Sequence, residues 1–403
     1  MANYDRSKVE IGVIHFGLGG FHRAHQAVFF DNALQNGFLD LGIASISQRD
    51  TSLADEMRQK DSLFEILASD GERSERRTIG SIKESLFYPR DEARILELAK
   101  SPNLKAITLT VTEKAYKPDS EFTARLVKVL RTRYESGGSS IAVISCDNLP
   151  SNGDFTKALL KSVIKDSKFW NWIESNIRFP NCMVDRIVPA PDKNNRLLIN
   201  TEIFNQWIIE NDPISKYLEP AGVKFVADVK PYELAKIRLF NGIHSFLAYY
   251  GELHQIEYVA DVIKIPQLNK YVAQMQENEI SPTIQIDLEL EKYSLEIRNR
   301  MLNQTLHHRS RQIAMDGSQK LPQRIIGTMN DLADLNKPAP LLINVLNTWI
   351  AYLATSDFVN DPLASEIIKD AKAKNFENLF NLLAAPLNPK YLPLLTGEPL
   401  NFE

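Results

Sequence analysis

The sequence predicts an α/β protein: a doubly wound amino-terminal domain over residues 1–229, then a mainly α-helical carboxy-terminal domain over residues 230–403. Three observations predict it. Short β-rich runs alternate with helical stretches through the first half of the chain, which is the rhythm of βαβ units. The first run ends in a glycine turn that opens a helix. After Lys230-Pro231 the β-branched runs thin out, and Leu, Ile, Asn and Ala recur at helical spacing.

The expected strands are IGVIHF (11–16), LGIASIS (41–47), LKAITLTVT (104–112), SIAVISCD (140–147) and VKFVADV (223–229). Several are almost continuously apolar, as strands of a parallel sheet must be when both faces are covered. AHQAVFFDNALQ and ARLVKVLRTRYES read as helices between them. LFEIL and RRTIGSI flank the polar SDGERSE and read as an inserted hairpin, and the closing GEPLNFE reads as a tail.

The chain has 403 residues and a net charge of −4, enough length for two cores and no basic excess of the kind a nucleic-acid binder carries. Cys146 and Cys182 are the only cysteines, so no disulfide framework is expected and a reduced, cytoplasmic setting fits. Neither Cys-x-x-Cys nor HExxH occurs, which removes the usual sequence support for a zinc site. MANYDRSKVE lacks the apolar stretch of a signal peptide, and no run approaches the ~18 apolar residues of a membrane span. The expected partner is a small molecule, with no metal, membrane or nucleic acid.

The glycine turn is Gly17-Leu18-Gly19-Gly20-Phe21. Strand, Gly-x-Gly, helix is the arrangement that brings backbone N–H groups to a pyrophosphate. The third glycine of the usual fingerprint is missing, with His22 in its place. Arg23 and the neighbouring histidines can neutralise phosphate, while His25 reads equally well as part of a solvated helix start. After the second strand the fingerprint expects an acid for the ribose hydroxyls. The sequence there is Gln48-Arg49-Asp50, in which Asp50 favours NAD and Arg49 favours NADP.

KPYELAKIRLFNGIHSFLAYYG (230–251) is the most informative stretch. At ~100° per residue, and with Lys236 as origin, Glu233 falls near ~60°, His244 near ~80° and Asn241 near ~140°. Apolar residues fill most of the remaining circumference, so the helix is expected to be buried. Buried Lys, Glu, Asn and His are costly unless paired or functional. Desolvation lowers the pKa of a buried lysine, which suits Lys236 to general-base work. Asn241 and His244 can donate to an oxygen that becomes negative, and Gly242 lets another group approach the backbone. SCDNLPSNGD (145–154) follows a strand at the end where ligands bind in open α/β sheets; Asn148 is its better functional candidate and Asn152 its turn former. TVTEKAY (110–116), with Thr112 and Lys114, forms a third edge of that crevice.

These stretches together resemble the mannitol dehydrogenase / fructuronate reductase family, the polyol-specific long-chain dehydrogenases. The matching segments occur in order: HFGLGGFHRAHQ (15–26), TVTEKAY, SCDNLPSNGD, FPNCMVDRIVP (179–189), KIRLFNGIHSFLAYYG (236–251) and QIAMDGSQKLPQR (312–324). The Lys-x4-Asn-x2-His pattern is a specific signature, and the last ~75 residues carry no matching motif. The resemblance implies a Rossmann-like amino-terminal domain, a mainly helical carboxy-terminal domain and metal-independent, NAD-linked hydride transfer at a secondary alcohol. It makes Lys236 the general base, gives Asn148 and Asn241 the reacting oxygen, lets His244 position the substrate, and has Glu233 gate proton exchange with water. It also implies substrate contacts for Lys320 and, less directly, Arg311, and it assigns the basic residues after the glycine turn to the pyrophosphate. Family members are commonly longer, so this chain lacks part of the crevice rim. Lys114 stands where the family's fructuronate reductases carry lysine and its mannitol dehydrogenases tend to have glycine, and it is placed to pair with a uronate carboxylate. The expectation is therefore a fructuronate reductase (D-mannonate oxidoreductase), with mannitol 2-dehydrogenase as the alternative and a non-catalytic NAD(H) sensor as the reading from another class.

Overall fold

The computed structural model describes residues 4–402 and divides into two compact units, Met1–Lys230 and Pro231–Glu403. In the first unit, β1 (Ile11–Phe16), β2 (Gly42–Ser47), β3 (Phe64–Ser69), β4 (Ser74–Ile79), β5 (Ile82–Phe87), β6 (Ala106–Leu109), β7 (Ile141–Ser145) and β8 (Ile177–Arg178) follow one another. The unit is completed by β9 (Cys182–Asp185), β10 (Leu198–Glu202), β11 (Gln206–Glu210) and β12 (Lys224–Val226). Six of these form one sheet in the order β5-β2-β1-β6-β7-β8, with every neighbouring pair parallel.

Alternation along the strands builds a core on each face. Val13, Ile43, Ala106 and Ile144 point to the side covered by the helix Gln26–Gln35. Ile14, Phe16, Ile46, Leu109 and Val143 point to the side covered by the helices Tyr88–Lys100, Glu121–Glu135 and Ser167–Asn176. Two-sided burial is why these strands read as continuous apolar runs. The chain leaves β1 toward β2 on one side and later returns beside β1 as β6, so the strand order reverses between them. That reversal opens a crevice at the carboxyl ends of the strands.

The predicted hairpin forms: β3 and β4 pair antiparallel, and β10 joins them in a three-stranded sheet. Two expectations are corrected. VKFVADV contributes only β12, a half-exposed edge of a second small sheet in the order β12-β11-β9, and does not join the main sheet. The expected helix from Ala24 is broken at His25, whose φ of −119° and ψ of −87° separate Gly20–Ala24 from Gln26–Gln35.

Among the described residues, the named elements of the second unit are all helices. Its centre is the helix Ile243–Leu253, buried from Ile243 to Gly251, packed against Pro340–Thr355 and Ser310–Ile313. Three segments run as π-helix: Lys236–Gly242, Gln276–Ile280 and Pro322–Ile326. Pro322 has no N–H for the carbonyl of Ser318, which explains the change of register at the last of these. Near the end of the chain the amides of Thr396 and Gly397 donate to Asn347 Oδ1 at 3.0 and 3.1 Å, and the Phe402 ring lies 5.7 Å from that of Tyr271, so the described residues of the tail are anchored to the helical unit. No helix among the described residues is long and apolar enough to cross a membrane.

Candidate active site

The crevice of the first unit holds a cavity of about 620 Å³. Three loops line it, each just past the carboxyl end of a strand: Gly17–Gly19 after β1, Ser47–Asp50 after β2 and Thr110–Ala115 after β6, with Ser120–Phe122 and Arg125 opposite. Gly17 has φ +125°, and a Cβ there would stand 2.5 Å from the carbonyl oxygen of Thr110, so only glycine makes this turn. Gly17, Leu18, Gly19, Asp50, Thr112 and Lys114 thus meet at one cavity.

The remaining turn residues face elsewhere. Gly20 packs on Pro191, where a Cβ would lie 2.9 Å from the proline ring, and Phe21 stacks on His25 with ring centroids 5.1 Å apart. Arg23 is a correction: it is 1% exposed, donates to the carbonyl of Arg196 at 2.6 Å and lies over Phe64, and burial lowers its pKa to about 10. The histidines are corrected too. His22 stacks on His15 at 3.4 Å, and burial, with Arg23 adding to it, holds its pKa down at about 3, so it offers phosphate no charge near neutral pH. His25 binds the carbonyl of Gln206 at 2.9 Å. The basic cluster after the glycines is interior packing, and the part of the turn that lines the cavity is Gly17, Leu18 and Gly19.

Asp50 lies in the cavity wall and also caps the helix Thr51–Gln59, accepting from Leu53 N at 3.0 Å and pairing with Arg196. A carboxylate has about four acceptor sites, so capping leaves room for a ribose hydroxyl. Lys114 sits exposed in the short turn Glu113–Ala115. Asn148 is exposed three residues past β7. Asn152 is buried: its side chain donates to the carbonyl of Cys182 at 2.8 Å and accepts from the Cys182 amide at 2.9 Å, fixing the loop after β7 to β9.

In the second unit Lys236 and His244 are each 8% exposed, and Asn241 and Glu233 are half-buried. The α-helical wheel is corrected here. A π-helix bonds i+5 to i and turns less per residue than an α-helix. Asn241 therefore comes nearer the Lys236 face than the ~140° separation of an α-helix. Gly242 is the contact point of two π-helical segments, since a Cβ on it would stand 3.0 Å from the carbonyl oxygen of Arg324. Arg324 in turn donates to Ser245 Oγ at 2.9 Å and to the carbonyl of Asn241 at 3.3 Å.

His244 stacks on His308 at 5.2 Å. Burial holds its pKa well below the ordinary value, and the nearby His308, Arg324, Lys320 and Arg300 add to the shift. Lys320 donates to the carbonyl of Ile313 at 3.3 Å and also to that of Met315. Arg311 is exposed, pairs with Glu252 at 3.3 Å and covers Phe358. Sequence reasoning passed over His308, Arg300 and Arg324. Only Arg324 fell inside a quoted motif, and nothing in the spacing marks the other two. It also passed over Asp147 inside SCDN, which is 9% exposed and accepts three hydrogen bonds.

The open parallel sheet with its cavity and the buried helix carrying lysine define a two-domain oxidoreductase of the Rossmann class. The chain belongs to the mannitol dehydrogenase family: residues 11–219 match the mannitol dehydrogenase Rossmann domain and residues 228–386 the mannitol dehydrogenase C-terminal domain. It is 34% identical to the D-mannonate oxidoreductase of Escherichia coli (strain K12) over 369 residues, 80% of this chain and 76% of that protein. It is 30% identical to a mannitol 2-dehydrogenase of Aspergillus terreus, over 91% of this chain and 84% of that one. Among solved structures, the Pseudomonas fluorescens mannitol 2-dehydrogenase in a ternary complex with NAD and D-mannitol superposes with a TM-score of 0.82 at 26% identity, covering 97% of this chain and 92% of that chain.

Proposed function

We propose that this oxidoreductase is a fructuronate reductase, reducing the ketone of a linear hexuronate to D-mannonate with NADH. The observation that carries the reading is the cavity at the strand-order reversal, walled by the glycine turn, Asp50 and Lys114. The groups present fit a dinucleotide: Gly17 and Gly19 leave the backbone open to phosphate, and Asp50 stands at the end of β2 for ribose hydroxyls. When bound, the nicotinamide supplies the hydride. Lys236 delivers the proton to the ketone oxygen in reduction and withdraws it in oxidation. Asn241, brought nearer the Lys236 face by the π-helix, and Asn148 donate to that oxygen. His244, kept neutral by burial, positions the substrate through hydrogen bonds, and Glu233 connects Lys236 to solvent.

A carboxylate substrate needs cations. Lys114 supplies one in the first unit, and Arg300, Lys320 and Arg324 gather around His244 in the second. The nearness of a mannitol 2-dehydrogenase structure favours fructose reduction as the second reading. The deciding experiment measures kcat/KM for fructuronate and fructose, each with NADH and NADPH. A charge-assisted bond from Lys114 contributes about 1.5–3 kcal/mol, so fructuronate is expected to lead by roughly 10- to 150-fold, and Lys114→Met is expected to narrow the gap by weakening only the uronate. Faster turnover of fructose replaces the first reading with the second. Preference for NADPH assigns Arg49 to a 2′-phosphate and overturns the choice of NAD. A protein that binds NADH and turns over neither ketone is a sensor.

A further inference from the structure

Thr112 has φ +72° and ψ +153°, a region of backbone space that is essentially reserved for glycine. A β-branched residue is held there only when its surroundings over-determine it. The surroundings are one carboxylate. Asp147, two residues past β7, accepts from the amide of Thr112 at 2.8 Å and from the amide of Val111 at 3.0 Å. Tyr116 closes the group from the far end of the same loop, its hydroxyl 2.7 Å from Asp147 and 2.7 Å from Ser145 Oγ. Turning Thr112 to ordinary extended backbone would swing its amide off the carboxylate. Tyr116 and Asp147 are buried, while Thr112 and Lys114 stand exposed on the cavity wall.

We infer that Asp147 is the positioning residue of the cofactor cavity's rim: it clamps the loop 110–116 in a glycine-like conformation and so sets where Thr112 and Lys114 meet the dinucleotide. The inference rests on reading that cavity as the dinucleotide site. Asp147 itself faces the loop amides, and its role is exercised through Thr112.

The test is a double-mutant cycle of Asp147→Asn and Thr112→Gly, read by NADH fluorescence titration. Asparagine offers one oxygen and turns an NH2 toward a second donor, so Asp147→Asn alone is expected to weaken NADH binding by about tenfold or more. Glycine holds the conformation without help, so in the Thr112→Gly background the same change is expected to cost less than about threefold. Equal losses in both backgrounds would mean general structural support and overturn the clamp, as would an unchanged affinity in Asp147→Asn. If Asp147→Asn does not fold, Thr112→Pro, on the exposed loop, breaks the clamp from the other side by removing the amide and forbidding positive φ. It is expected to lose NADH affinity to a similar extent, and full affinity refutes the proposal. Amide hydrogen exchange separates the two claims. If the unmodified protein does not bind NADH, the cofactor reading falls, and the clamp is still decided by Val111 and Thr112: faster exchange in Asp147→Asn supports it and unchanged exchange refutes it.

Discussion

Lowering the pH from 7 to 5 charges histidines in the unfolded chain that the folded chain keeps neutral. His22 in the first unit and His308 in the second have folded pKa values of about 3 and about 4, both lowered first by burial. A histidine whose folded pKa lies below its unfolded value of about 6.5 stabilises the fold above pH 6.5 and loses that contribution as the pH falls. Between pH 7 and 5 the loss is about 2 kcal/mol per group, a large share of a typical domain's stability. His15 and His244, also buried and shifted down, act in the same direction, one in each unit. Asp147 opposes them in the first unit. Burial pushes its carboxyl up to about 6, so the folded form takes up a proton that the unfolded form refuses, returning about 1 kcal/mol over the same interval. Glu279 opposes the histidines in the second unit, where burial raises its carboxyl too, so both units are expected to lose stability between pH 7 and 5. Urea unfolding at pH 7 and pH 5 measures this. Of the four tryptophans, Trp170, Trp172 and Trp207 report on the first unit and Trp349 on the second, so Trp349→Phe isolates the first. His308→Asn should remove about 2 kcal/mol of the pH dependence from the second unit and none from the first. A change below about 0.5 kcal/mol in both units would refute the reasoning, because the histidines would then be titrating in the fold as they do in water.

Lys236→Ala is expected to lower kcat by about 100- to 10,000-fold, with NADH affinity nearly unchanged; a loss under about tenfold in steady-state assays would remove it as the general base. Gly17→Ala puts a Cβ 2.5 Å from the Thr110 carbonyl at φ +125°, and should weaken NADH binding by more than about tenfold in fluorescence titration while secondary structure by circular dichroism is retained. Gly242→Ala presses on the Arg324 carbonyl at 3.0 Å, and should cost about 1–3 kcal/mol in urea unfolding and lower kcat more than NADH affinity.

What the sequence made legible was whatever depends on local pattern. The runs that became β1, β2, β6 and β7 were readable because burial on both faces leaves no polar alternation to confuse them. IKESLF, which became β5, was not: it is polar at Lys83, Glu84 and Ser85 and follows a hairpin directly, so it carried no periodic mark. VKFVADV was apolar enough for the main sheet, and only tertiary pairing with β11 placed it elsewhere. The residues after the glycine turn show the same limit. A string of His, Arg and His beside a phosphate motif invites an electrostatic reading, and nothing local reveals that His22 faces His15 inside the protein. On the lysine-bearing helix the residues were recognisable by type, but their angles were wrong because a π turn leaves no local signature at Lys236–Gly242. Asp147 was overlooked because its effect is felt in another loop, at a backbone angle the sequence does not encode.

The π turn has a consequence for how this chain can vary. Relative to an α-helix it is one surplus residue, absorbed in a wider turn so that the helix beyond it resumes in step. Deleting one residue between Lys236 and Asn241 would let the helix close as α, with Asn241 ~40° and His244 ~20° from Lys236, all three on one face. Alignment by residue identity would score such a deletion as a broken motif. In three dimensions it keeps the lysine beside its partners, so a gap of one residue in this stretch does not by itself mark a relative that has lost the arrangement.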